Sequence, residues 1–174
     1  MSDADPADPT PPASPTAPLI VFAIPGKWSD RTDLVARLAA APGGYVVDGP
    51  TVRDANTGRA YGCDLRPRVP GLADAFFAAG GGRIRRADAL AVGNHASVVR
   101  LTGFGGSVAA AVEMMRVATV VLAAGGIAVL VESSGLAHTA DEWLNLAGGR
   151  DPGAVYWAYV TLVAGGEGGG EVAG

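Results

Sequence analysis

Val117-Ala-Thr-Val-Val-Leu-Ala-Ala-Gly-Gly-Ile-Ala-Val-Leu-Val131, held between Arg116 and Glu132, is the longest uncharged apolar stretch of the chain. It falls short of the ~20 residues that a membrane-spanning helix needs, and Gly125-Gly126 interrupts it. The pattern changes at that break. Upstream, Val108, Val112, Met115 and Leu122 form one apolar stripe at helical spacing, and Val117, Val120 and Val121 form a second. Only Glu113 and Arg116 mark a polar edge. The spacing predicts a helix over Ser107 to Ala124, covered on most sides. Downstream, Ile127 to Val131 is wholly apolar and predicts a buried strand. A buried helix feeding a buried strand points to an α/β architecture.

Working outward, further elements alternate in the same way. Leu19 to Ile24 is an apolar run stopped by Pro25-Gly26 and predicts a strand. Ser29 or Asp30 can cap a helix carrying Leu34, Val35 and Leu38, which Pro42-Gly43-Gly44 ends. Tyr45 to Arg53 and Arg59 to Leu65 flank Asp54-Ala-Asn-Thr-Gly58, the signal of a hairpin. Leu72, Ala75, Phe76 and Ala79 lie on one side of a short helix closed by Gly80-Gly81-Gly82. Another helix runs from Ala87 to about Gly93, and Ser97 to Thr102 is a strand. Thr139-Ala-Asp-Glu142 is a capping box for a helix through Leu146. Ala154 to Val163, rich in aromatic and β-branched residues, reads as the final strand. The predicted order is β-α-β-β-α-α-β-α-β-α-β. Such alternation implies a mixed, largely parallel sheet with packed helices and an antiparallel edge from the hairpin. The fold class is α/β, with α+β as the neighbouring possibility.

The chain has 174 residues, 49% hydrophobic and 17% charged. That length suits one domain. Residues 1–17 hold five prolines and three aspartates and read as a disordered tail, with 165–174 as a flexible Gly-rich tail. A single domain is expected over 18–164. The net charge of −4 comes from the tails. Removing Asp3, Asp5, Asp8, Glu167 and Glu171 leaves 12 acids against 13 bases, so the core has no field for a polyanion. Arg83, Arg85 and Arg86 form a basic patch without interleaved aromatics, which argues against nucleic acid. Cys63 is the only cysteine, which excludes an internal disulfide and a cysteine-based zinc site. With no basic and apolar leader at the N-terminus, the expectation is a soluble, cytoplasmic protein with no membrane partner.

Three loops carry the residues with chemistry. They are Pro25-Gly26-Lys27-Trp28, Gly103-Phe-Gly-Gly-Ser107 and Glu132-Ser-Ser-Gly135-Leu-Ala-His138. Parallel strands would bring all three to one carboxyl edge, where ligands bind in open α/β sheets. Lys27, Gly105, Gly106 and Ser107 with the helix N-terminus, and Ser133 and Ser134, are candidate ligands for a small anion. Glu132 and His138 are the candidate catalytic base and acid. Each also has a plain structural reading. The glycines serve a tight turn, Glu132 accepts from backbone N–H groups, and His138 packs on Trp143 across a helix start. His95, beside Asn94, ends a helix as a cap. No dinucleotide fingerprint, Walker motif, nucleophile elbow or metal-ligand spacing is present, so no cofactor and no metal are expected.

Ile24-Pro-Gly-Lys-Trp28 with Asp30-Arg31, and Val131-Glu-Ser-Ser-Gly-Leu-Ala-His138 with Trp143, resemble a bacterial family of unknown function, the one numbered 4261. Asn94-His95 before a strand and the Gly-Ser start of the long helix are similar too. The family transfers no activity, substrate or catalytic residue. The resemblance implies only that the two loops belong together. Two functions follow from the residues. One is a non-catalytic protein-binding or accessory module, of the immunity type for instance. The alternative is a small-molecule or anion-binding protein, a hydrolase among the options, with its site at the loop edge.

Overall fold

The computed structural model describes residues 18–149 and 152–160. The tail assignments for 1–17 and 165–174 lie outside the described residues. Seven strands form one sheet in the order β2-β3-β4-β5-β1-β6-β7. The strands are β1 (Leu19–Gly26), β2 (Tyr45–Asp48), β3 (Thr51–Asp54), β4 (Ala60–Pro67), β5 (Ser97–Phe104), β6 (Ala128–Val131) and β7 (Leu136–Thr139). Six helices accompany them: α1 (Arg31–Ala40), α2 (Leu72–Ala79), α3 (Arg86–Gly93), α4 (Val108–Ala123), α5 (Ala140–Gly148) and α6 (Pro152–Tyr159).

Every hydrogen-bonded pair of strands is antiparallel, so the expected largely parallel sheet is corrected. The reason lies in the order of the strands. The long helix α4 does connect two strands of the same direction, because β5 and β6 both run antiparallel to β1. They are not neighbours, however, since β1 is inserted between them. This is a split β-α-β arrangement: the crossover is real and the parallel ladder is not. Hairpins supply β2–β3, β3–β4 and β6–β7, while β4 and β5 pair antiparallel across the connection that carries α2 and α3.

Local capping follows the sequence closely. Asp30 caps α1, its side chain accepting from the Asp33 N–H at 2.9 Å. Thr139 caps α5, its hydroxyl accepting from the Glu142 N–H at 3.2 Å. Three elements differ from expectation, one of them Leu136–Thr139, which forms β7 where a strand-to-helix loop is expected. The run Tyr45 to Arg53 is itself a hairpin, β2 to β3, turning at Gly49-Pro50, where Gly49 takes a φ of 51° that a side chain would resist. Residues 154–159 are helical, not a strand, and 161–163 lie outside the described residues. Tertiary contact outweighs β-propensity there: the Tyr159 hydroxyl donates to the Ala111 carbonyl at 2.8 Å and Ala158 is fully buried.

The alternation of side chains sends the sheet's apolar residues to two clusters. Phe22, Ile24, Val99, Leu101, Val129 and Val131 pack with α1, α4 and Trp143 of α5. Ala23, Val98, Ala128 and Ala137 pack with Leu72, Phe76 and Val92 of α2 and α3. The first cluster is the larger. It contains Trp28 and Trp143, both fully buried, their indole N–H groups donating to the carbonyl of Ala124, the C-cap of α4, at 2.8 Å and to that of Met115 within α4 at 3.3 Å. Beyond α2 and α3 the second face is polar. Asp64, Arg66, Arg100 and Glu132 stand there in ion pairs, as on a solvated antiparallel sheet.

Candidate functional site

The three loops do not share an edge. Gly26 of β1 lies opposite Ser97, while Leu19 lies opposite Phe104. Lys27 therefore leaves one end of the sheet and the Gly105-Gly106-Ser107 turn leaves the other, about 25 Å away at roughly 3.3 Å per residue. Lys27 is exposed. The Gly105 N–H donates to the Pro18 carbonyl at 2.7 Å, and Gly106 takes a φ of 90°, so both glycines serve a turn against the start of β1. Ser107 caps α4, its hydroxyl accepting from the Ala110 N–H at 3.1 Å. Removing that cap is expected to cost about 1 kcal/mol. Urea unfolding of Ser107→Ala checks the figure. A phosphate-induced rise in melting temperature that vanishes in this variant would contradict a purely capping role.

Glu132 does not accept from backbone N–H groups. Its carboxylate meets Arg100 at 3.3 Å across the open sheet face, while its own N–H donates to the Val21 carbonyl at 3.0 Å. Both partners are about one-third exposed. The stretch after Glu132 is a hairpin turn rather than a strand-to-helix loop, with Ser133 and Ser134 in the turn and Leu136–Thr139 forming β7. His95 is the helix cap the sequence suggests. Its Nδ1–H donates to the Val92 carbonyl at 2.7 Å, and its Nε2 accepts from the Val69 N–H at 3.0 Å.

His138 and Ser134 are brought together by a different feature. The N–H of Glu132 points at β1, so in β6 it is Val129 and Val131 that turn their backbone groups toward His138 and Leu136 of β7. The polar groups of Ala137 then face off the sheet. Its carbonyl accepts from Arg83 Nη2 at 3.3 Å, and the same guanidinium pairs with Glu142. An arginine thus blunts an otherwise open sheet edge. Beside it a cavity of about 590 Å³ opens between the end of α2, the β6–β7 turn, α5 and α6. Ala78, Ala79, Leu136, Leu146, Trp157 and Val160 give it apolar walls, and Ser134, Arg83 and Glu142 are its polar lining. Trp157 is 58% exposed, whereas Trp28 and Trp143 are fully buried.

His138 lies just behind this groove and is fully buried. Its ring is 5.5 Å from that of Trp143, the contact expected across the helix start. Nε2–H donates to the Ala158 carbonyl of α6 at 3.2 Å, and Nδ1 lies 3.4 Å from a Glu142 carboxylate oxygen. Burial pushes the imidazole below its usual value, and Arg83 acts in the same direction, while Glu142 opposes them. The neutral ring is therefore favoured in the folded protein. Between the depressed folded value and ~6.5, the unfolded chain holds the extra proton, so stability falls as pH drops through that window. His138→Phe is expected to flatten this dependence, read from urea midpoints at pH 7.5, 6.5 and 5.5. Equal slopes in variant and wild type would remove His138 from the account.

Sequence reasoning missed Arg83, Glu142, Trp157 and Val160 as a set. Arg83 was visible only as part of a basic patch and Glu142 only as a capping residue. The aromatic and β-branched residues around Trp157 and Val160 read as a strand, a pattern that hides the helical spacing by which both reach the groove. The thiol of Cys63 is buried on β4 and pushed up to about 11 by desolvation, so it is no nucleophile. Among the described residues no group of His, Cys, Asp and Glu could hold a metal ion, and no helix is long and apolar enough to cross a membrane. No protein-family model, curated protein or solved structure matches the chain.

Proposed function

We propose that the chain is a non-catalytic protein-binding module and that the groove beside β7 takes an extended apolar segment of another protein. One observation supports this reading above the rest. A large indole, Trp157, stands exposed on the wall of an apolar groove of about 590 Å³. Exposed aromatic residues at such positions dominate the energetics of protein interfaces. The groove starts at the β6–β7 turn and Leu136 of β7 and runs between α2, α5 and α6, which favours a linear segment over a globular partner. The pair Arg83 and Glu142 at the edge offers a donor and an acceptor to that partner's backbone.

The alternative of a small-molecule or anionic site needs Lys27 and Ser107 at one edge, and they stand at opposite ends of the sheet. Membership of the family numbered 4261, a cytoplasmic setting and an accessory role of the immunity type belong to the proposal. They rest on the loop sequences and the composition alone.

The test is titration of a fluorescein-labelled, terminally blocked pentapeptide, Thr-Val-Leu-Val-Thr, into the full chain up to millimolar concentration. Saturable binding is expected. It should weaken at least tenfold in Trp157→Ala, since a hot-spot side chain carries about 2 kcal/mol or more. The melting temperature should barely move, because Trp157 is the most exposed of the three indoles. Equal binding by wild type and variant would place the partner elsewhere.

A further inference from the structure

Resting on that reading of the groove, we infer that the chain's own C-terminal segment, residues 161–174, competes for it, so that the docking site is regulated in cis. Three observations lead there. Val160, where α6 gives way to the segment, is itself part of the groove wall. The chain that follows is therefore delivered to the site without any linker. Next, the sequence after Val160 is Thr161-Leu-Val-Ala164, apolar and β-branched, and then Gly165-Gly-Glu-Gly-Gly-Gly-Glu171. Four extended residues span about 13 Å, the length of the four-residue strand β7. The glycines that follow carry no side chain to extend the contact. Finally, the charges match. The segment carries Glu167 and Glu171 and no Lys or Arg. Arg83 lines the groove, paired with Glu142, and Arg86, three residues further along the chain, is exposed and forms no ion pair among the described residues.

Covalent attachment sets the strength of the competition. A short tether holds its ligand at an effective concentration in the millimolar range. A partner segment of similar chemistry then binds more weakly by the ratio of that concentration to the segment's own dissociation constant. A true partner must offer more than four apolar residues, or must first draw the segment away. The groove is in this way shielded from casual apolar sequences while remaining open to a longer one.

The experiment compares the full-length wild type with the full-length double variant Leu162→Asp/Val163→Asp. A second pair, Leu162→Asn/Val163→Asn, removes the apolar groups without adding charge and guards against an effect of charge on folding. Melting temperatures confirm that each is folded. Two quantities are read: acrylamide quenching of Trp157, with Trp157→Phe as the reference, and affinity for the labelled Thr-Val-Leu-Val-Thr pentapeptide. The expected result is a more quenchable Trp157 and at least tenfold tighter peptide binding in both double variants. Equal quenching with equal peptide binding overturns the cis inference and leaves the groove reading standing. A more quenchable Trp157 with no peptide binding by any of the proteins keeps the cis contact and overturns the docking of a partner. Equal quenching with no peptide binding overturns both.

Discussion

Replacing Trp28 with alanine is expected to lower the unfolding free energy by about 3–5 kcal/mol. The residue follows the end of β1, and its side chain is fully buried. Its indole N–H donates to the Ala124 carbonyl at the C-terminal end of α4. Its own carbonyl accepts from the Ser97 hydroxyl at 2.8 Å, at the start of β5. One residue therefore joins β1, β5 and the end of the crossover helix. Alanine would leave a cavity, because so many elements converge that none can relax into it alone. It would also orphan a buried carbonyl, which costs about 1–3 kcal/mol by itself. Trp28→Phe separates these contributions, since it keeps most of the volume and loses only the N–H. Urea unfolding of the three proteins reads both. A loss below about 1 kcal/mol for the alanine variant would mean that the indole is not the joint it is drawn to be.

The second large effect belongs to Gly26. Its φ is not in the left-handed region, so a side chain there meets no backbone strain. A Cβ would instead overlap the six-membered ring of Trp28. The ring cannot retreat, because its far side is fixed by the bond to Ala124. Gly26→Ala is expected to cost about 1–3 kcal/mol as overpacking. The coupling is more telling than the single value. In the Trp28→Ala background the clash is absent, and alanine should be neutral or slightly stabilising, by the ~0.5–1 kcal/mol that replacing a strand glycine gives. A double-mutant cycle measures this directly. Additive losses would show that Gly26 is held for some reason other than the ring above it.

Much of this fold can be read from the sequence, and the failures have physical causes. Helices with a cap and an apolar stripe were legible: Asp30 with Leu34 and Leu38, Thr139 with Trp143, Ser107 with Met115. Those signals are local, so one sequence is enough to display them. Adjacency in a sheet is not local. Ser97 to Phe104, the long helix and Ala128 to Val131 have the look of a parallel unit, and nothing in them says that Leu19 to Gly26 slips between. Short strands were also lost. Leu136–Thr139 has four residues, the last of them itself the cap of α5, and reads equally as a loop. The site shared that fate. Arg83, Ser134, Glu142 and Trp157 come from four separate elements and carry no common spacing, so only the fold assembles them. His138 is legible in part: its contact with Trp143 follows from its place just before the helix cap, as a staple across the helix start, but its carbonyl partner on α6 does not.

The insertion of β1 between two later strands also sets a timetable for synthesis. The ribosome delivers Leu-Ile-Val-Phe-Ala-Ile, residues 19 to 24, long before either neighbour exists, because Leu19 pairs with Phe104 and Phe22 with Val131. At ~5–20 residues per second, about 100 residues of further translation leave this apolar strand without its flanks for several seconds. Sequence-distant pairing of this kind also slows folding once the chain is complete. The nascent protein is therefore most exposed to aggregation, and most dependent on chaperones, during the interval in which its central strand has been made and the strands that enclose it have not.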